Sequence, residues 1–357
     1  EKKGYKSGFK ECWKQQLKWI DDDFKKASVL EIWNFRGKQK LMDLGCMRMS
    51  DVHEEDINPD ELLSGSPMNI KQRQWKQITK YKEGDQSVDI DLFGLQEEME
   101  SWVYPLHFID FETSRVAIPF YAGRRPYEQL AFQFSHHIVH KDGKVEHIGQ
   151  YLNADSEFPN YDFVRELKDT LSGDEGTIFR YHNHENTVLN EIRVQLEADA
   201  NPPEDKDELI AFILHITRPK RDDKSREPGQ RDMVDLCQLV QEYTFYPSGK
   251  GRTSIKVTLP AVLNASKYLQ ERYSQPIYGK GCEIPSLNFS EPLTWIQKEG
   301  DEVLNPYKQL PPMFSGWTEQ ELEKLDLVIE DINIQEGGSA MMAWAKMHFT
   351  EMGETKK

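Results

Sequence analysis

Residues 107 to 112 read His-Phe-Ile-Asp-Phe-Glu, and the two acids of this run have the types and spacing to hold a divalent cation. Apolar residues lead into them, the pattern of a buried strand that ends at a site. Side chains alternate faces along a strand, so Asp110 and Glu112 share one side while Phe111 takes the other. Two carboxylates about 6–7 Å apart on one face repel each other and are costly to desolvate. A hard cation such as Mg²⁺ or Mn²⁺ takes oxygen ligands and cancels that repulsion. The plain alternative is a strand end where both acids face water.

A third acid stands at another junction. Thr177-Ile-Phe-Arg-Tyr reads as a short strand running into His182-Asn183-His184-Glu185 and then a helix. Glu185 can return a carboxylate to the same sheet edge, and Asn183 can orient a ligand or a water. A first-turn Glu also gains from the helix dipole, and the two roles are compatible. His182 and His184 read as a polar cap in preference to zinc ligands. Asp235, in Met-Val-Asp-Leu-Cys, is either a further metal-binding acid or a helix cap.

Between Glu112 and Glu185 lies Ile118-Pro-Phe-Tyr-Ala-Gly-Arg-Arg-Pro-Tyr. Arg124 and Arg125 beside Tyr127 suit phosphate binding and base stacking; the alternative is a solvated loop. Gly249-Lys-Gly-Arg-Thr-Ser-Ile-Lys lacks the spacing of a Walker A loop, but Lys250, Arg252 and Lys256 can contact backbone phosphate and Ser254 can cap a helix. There is no Gly-x-Ser-x-Gly elbow, no cysteine in a nucleophile context and no dinucleotide fingerprint.

These residues need a scaffold, and the pattern supplies one. Residues 1 to about 100 have a charged, mostly helical character, and from Trp102 the pattern turns to strands. Strands are expected at 106–111, 129–140, 144–151 and 177–181, with Lys141-Asp142-Gly143 as a hairpin turn. Helices are expected at 158–171, 186–196 and 233–243, and at 340–352. Residues 201–230 read as an insertion with one short helix at 208–216, and 271–320 as a long excursion rich in Pro, Gly and Ser. The order gives a mixed sheet flanked by helices, an α/β fold.

At 357 residues the chain is long enough for two domains, 1–100 and 101–357. Its formal net charge of −16 argues against duplex binding through a broad basic surface. A nuclease is compatible with that charge, because metal ions and local arginines handle phosphate. A mean hydropathy of −0.72 and the lack of a long apolar run predict a soluble chain with no membrane contact. The four cysteines form no CxxC pair, so a reducing, cytoplasmic setting is expected. The start, Glu-Lys-Lys-Gly-Tyr, reads as an internal cut in a longer protein.

Asp110-Phe-Glu112 followed by Tyr-His-Asn-His-Glu185 resembles the DnaQ-like (DEDD) 3′–5′ exonucleases of the ribonuclease-H-like fold. The runs His107-Phe-Ile-Asp-Phe-Glu-Thr-Ser, Arg125-Pro-Tyr, Phe132-Gln-Phe-Ser-His-His, Ser254-Ile-Lys and Gln335-Glu-Gly-Gly-Ser-Ala are similar to an uncharacterised bacterial branch of that superfamily. In that branch the domain often follows a RecB-like nuclease domain with an iron–sulfur cluster. The resemblance covers about residues 100 to 350 and implies that 1–100 is the connector. Cys12 would then lie near the cluster-binding cysteines of the upstream domain, and this chain alone should bind no cluster.

The resemblance also implies a two-metal hydrolysis of single-stranded DNA or RNA. Asp110 would bridge both ions, Glu112 would bind one and help position the attacking water, and Glu185 would hold the second. Two departures stand out. The superfamily usually has Asp where Glu185 stands, one residue farther from Asn183. Its fourth acid lies on a late helix, and after Ala340 this chain offers only Glu351 and Glu354. By resemblance the missing segment is expected shortly beyond Lys357, with Glu336 or Asp331 as weaker substitutes. The other two readings are a non-catalytic nucleic-acid-binding or docking module serving an attached nuclease, and a phosphatase-like hydrolase of small nucleotides.

Overall fold

The computed structural model describes residues 6–155, 157–220, 223–300, 302–309, 340–341, 343–345 and 348. The chain divides into two units, Glu1–Glu98 with Leu239–Val262, and Met99–Gln238 with Leu263–Lys357. Residues 239–262, read from the sequence as part of the second domain, thus cluster with the first. Among the described residues no helix is long and apolar enough to cross a membrane.

The first unit is helical, with a core of Val29, Ile32, Leu41, Met49, Val52, Ile57 and Ile78. Its longest helix, Ile70–Glu83, starts at an Asn69–Gln72 capping box and stops at Gly84 in the left-handed region. Arg73 on this helix is 2% exposed and donates to the carbonyls of Gly251, Gln241 and Thr244. One buried guanidinium therefore pins the returning segment to the first, and its charge is dispersed over several acceptors.

The second unit is built on a five-stranded sheet. Its strands are β1 (Leu106–Ser114), β2 (Leu130–Val139), β3 (Val145–Leu152), β4 (Ile178–Arg180) and β5 (Val234–Asp235). The spatial order is β3-β2-β1-β4-β5. β2 runs antiparallel to β1 and β3, while β4 and β5 are parallel to β1. The β2–β3 turn is the expected one: Gly143 takes φ +86 and Asp142 accepts from the Lys144 amide.

Helices α1 (Asn160–Leu171), α2 (His184–Ala198) and α3 (Lys206–Ile216) cover one face of this sheet. Their apolar stripes, including Phe163, Leu167, Leu189, Ile192 and Ile213, meet Ile109, Phe111, Phe134 and Ile178 in one core. Each such side chain contributes about 1.5–3 kcal/mol on burial, so α3 belongs to the main core rather than to a peripheral insertion. The helix expected at 233–243 begins at Leu236 instead, as α4 (Leu236–Tyr243). Val234 and Asp235 are taken by the sheet, and Asp235 caps the helix that follows. In the 271–320 excursion the described part holds the last residues of a helix (Lys267–Tyr273), single bridges from Tyr278 to Ile284 and Leu293, a two-residue pairing of Lys298–Glu299 with Glu302–Val303 and a 3-10 turn at Pro306–Lys308. Residues 340, 341, 343–345 and 348 are helical as expected. Glu351, Glu354, Asp331 and Glu336 lie outside the described residues.

Candidate acidic site at the strand ends

β1 is the central strand, and its two faces do different work. Ile109 and Phe111 enter the core, which leaves Phe108, Asp110 and Glu112 on the other face. Beside Glu112 the ladder is irregular: the register steps from Glu112↔Gln133 to Thr113↔Ala131, so Phe132 is an extra residue in β2. Ala131 and Phe134 consequently both reach the core although they are three residues apart. Phe132 faces the opposite side, where its ring stacks on Trp344 at 4.7 Å.

Asp110 is reachable by solvent, yet protein crowds it. Burial raises its carboxyl above the ordinary value, with the His184 ring and the Phe111 amide acting in the other direction. The two observations agree if the carboxylate lies in a recess whose mouth is open. Glu112 is half-exposed beside it.

Glu185 arrives from the parallel neighbour. After β4 the chain turns through His182 at φ +67, and α2 starts at His184, two residues before the expected start. Glu185 is 3% exposed, and its Oε2 has no hydrogen-bond partner. Burial foremost, and then the negative charges of Asp110 and Asp235, push its carboxyl up to about 8, against the pull of its own amide and Arg180. A buried acid in this state needs either a proton or a cation.

Asp235 is an anchor. Its Oδ1 accepts from the amides of Cys237 and His182, both at 2.9 Å, and its Oδ2 from Arg180 Nη1 at 2.9 Å. It caps α4 and ties the β4 loop to β5, so its oxygens are already committed. Arg180 also donates to the His182 carbonyl. Asn183 donates its side-chain amide to Thr187 Oγ1 at 3.1 Å, within the first turn of α2. His182 is exposed, and His184 Nε2 lies 3.4 Å from Thr113 Oγ1. Crowding lowers the His184 imidazole below its usual value, partly offset by Asp110.

A family model described as Domain of unknown function (DUF2779) matches residues 107–254. The matched stretch opens at β1 and carries Asp110, Glu112, Glu185 and Asp235. No curated protein and no solved structure matches the chain.

Tyr307 stands outside that stretch and was not singled out in the sequence. It is half-buried, and its hydroxyl is raised by burial and by the charge of Asp110. It sits after Asn305-Pro306 in the Pro-rich excursion, where no period or motif flagged it.

The loop after β1 separates the two arginines. Arg124 lies 3.7 Å over the Phe158 ring, donates to Tyr161 Oη and Asp199 Oδ2, and pairs with Glu128 at 3.6 Å. Its guanidinium holds the loop to α1 and α2 and is not presented to a ligand. Arg125 and Tyr127 are exposed. Arg252 and Lys256 are exposed residues of the first unit, and Arg252 Nε donates to the Gly249 carbonyl at 3.3 Å.

Among the described residues, no three His, Cys, Asp or Glu side chains form a ready metal-ligating group. The donor set nonetheless suits a hard divalent ion. Asp110, Glu112 and Glu185 offer oxygen only, and the orphaned buried Oε2 of Glu185 is a ligand atom in want of a partner.

Proposed function

We propose that the second unit is a divalent-metal-dependent phosphodiesterase of the 3′–5′ exonuclease type, acting on single-stranded DNA or RNA. Glu185 carries this reading. Burying a carboxylate without a partner beside two other acids is destabilising, and such perturbed acids cluster at functional sites. The topology supports the ribonuclease-H-like reading: a five-stranded sheet with only its second strand reversed, Asp110 and Glu112 from the middle of β1 onward and Glu185 just past the end of its parallel neighbour β4. The 3′–5′ polarity rests on the resemblance alone.

In this reading Asp110, Glu112 and Glu185 would hold Mg²⁺ or Mn²⁺. Such an ion supplies Lewis-acid activation of water and charge stabilisation at phosphorus. The protein's own contribution is to hold the acids. Asp110 and Glu112 are fixed by their pairing with Ser135 and Gln133 of β2, and Glu185 by the α2 N-terminus. The Arg180–Asp235 pair locks the loop between them.

The test is Mn²⁺-dependent digestion of a 5′-labelled single strand by wild type and Asp110→Asn. A ladder shortening from the 3′ end, absent in Asp110→Asn, is the expected result. Digestion unaffected by the substitution, or no digestion of DNA or RNA, would overturn the reading and leave a binding or docking module.

A further inference from the structure

The loop after β1 and the outer face of α2 enclose a groove of about 730 Å³, lined among others by Arg115, Arg125, Tyr127, Val194, Ala198 and Lys220. Asp110, Glu112 and Glu185 do not line it, but the chain links them to it at Arg115. Arg115 directly follows the last residue of β1, and its charge acts on the His184 ring.

In a chain of net charge −16, this groove is locally positive. Its three acids are each bound to an arginine: Glu191 to Arg115, and Glu128 and Asp199 to Arg124. That leaves Arg125 and Lys220 without an ion pair among the described residues. Tyr127 is 65% exposed and holds φ +60, a conformation costly for a bulky residue. It is kept there by its amide on the Val116 carbonyl at 2.8 Å and by the Arg125 amide on Glu128 Oε2 at 2.8 Å. A well-pinned loop thus displays an aromatic ring to water in a groove that Arg125, Lys220 and the apolar Val194 and Ala198 also line. Among the described residues no ring contact involves it.

The geometry points to this groove as the path of a single nucleic-acid strand leading to the acids, with Arg125 and Lys220 on phosphates and a base stacked on Tyr127. The class of ligand rests on the function proposed above. Cations at intervals with an aromatic platform between them are what a flexible polyanion with flat bases requires, and an acidic peptide would make no use of the ring.

Binding of a short fluorescein-labelled oligothymidylate, followed by anisotropy in EDTA over a salt series, tests this without requiring cleavage. Arg125→Ala and Lys220→Ala should each weaken binding about fivefold and reduce the log–log salt slope by about 0.7. Tyr127→Ala should weaken it about tenfold with the slope unchanged, and an abasic strand should be insensitive to Tyr127→Ala. Lys141→Ala, in the β2–β3 turn, is the control for diffuse charge and should stay within about twofold of wild type. Wild-type affinity in the three groove variants, equal weakening in the control, or no binding by wild type overturns the groove. The two proposals fail separately. Groove-dependent binding without any digestion sinks the nuclease alone, whereas digestion with KM unchanged in the groove variants sinks the groove alone.

Discussion

Asp110 midway along β1 and Glu185 in the first turn of α2 lie close enough that the charge of one raises the carboxyl of the other. The fold thus holds an electrostatic conflict in place. Glu185 is raised from its ordinary 4.5 to about 8, so between those values the folded state binds more protons than the unfolded chain. Stability from this group is fully present below pH 4.5 and is lost as pH rises toward 8, at up to about 1.4 kcal/mol per pH unit. Glu185→Gln should flatten that fall in urea melts across pH 5–8. Saturating Mn²⁺ should raise the wild-type midpoint most at the alkaline end and leave Glu185→Gln unmoved. An equal Mn²⁺ response in both proteins would remove Glu185 from the ligand set.

Acid acts through a different group. His136 is fully buried, shares a hydrogen bond of 2.9 Å with His107 and one of 2.9 Å with Thr170, and is pushed down to about 3. Burial is the main cause, with His107, His137 and Arg231 adding to it and Asp174 opposing. A depressed imidazole gives stability above its unfolded value of 6.5 that drains as pH falls toward 3, again at about 1.4 kcal/mol per pH unit. His136→Gln should be less stable at neutral pH but lose less between pH 6.5 and 4. A parallel decline in both proteins would assign the acid sensitivity elsewhere.

Gly176 is where the chain enters β4. A Cβ there would stand 1.9 Å from the Pro105 carbonyl oxygen and 2.7 Å from His107 Nε2, and its amide donates to Asp174 at 2.7 Å. Gly176→Ala must move backbone at the start of both β1 and β4, and a loss of about 3 kcal/mol or more is expected. Chemical denaturation measures it; a change below about 1 kcal/mol would mean that the two strands separate easily there.

Arg124 and Arg125 are neighbours with opposite duties. Arg124→Ala strips the Phe158 ring, Tyr161, Asp199 and Glu128 of a shared partner and should cost about 2 kcal/mol of stability. Arg125→Ala, whose side chain is exposed, should change stability by less than about 0.5 kcal/mol. Thermal melts of the pair decide whether the assignment is right or reversed.

Local pattern made much of this legible. The alternation in 106–111, the Asp142-Gly143 turn and the helical spacing of 163, 164, 167 and 171 located the strands, hairpin and helix that position Asp110. What the sequence hid was distant in the chain. Arg124 looked like a phosphate ligand because its partners Tyr161 and Asp199 lie 37 and 75 positions away. Tyr307, whose hydroxyl feels the charge of Asp110, comes from a stretch with no periodicity to read. Residues 206–216 looked like part of a charged insertion, yet Leu209, Ile213 and Ile216 complete the core. The strand at 234–235 is too short to show a period, and Asp235 disguised its end as the inside of a helix.

The extra residue at Phe132 bears on how the strand tolerates changes of length. Elsewhere in β2 the loss of one residue would send every side chain beyond it to the wrong face. At 132 the loss would restore a regular ladder with Ala131 and Phe134 still inward, at the expense of the Phe132–Trp344 stack. Single-residue gaps among sequences related to this one should therefore gather at that position, next to Glu112, while the rest of the strand keeps its length.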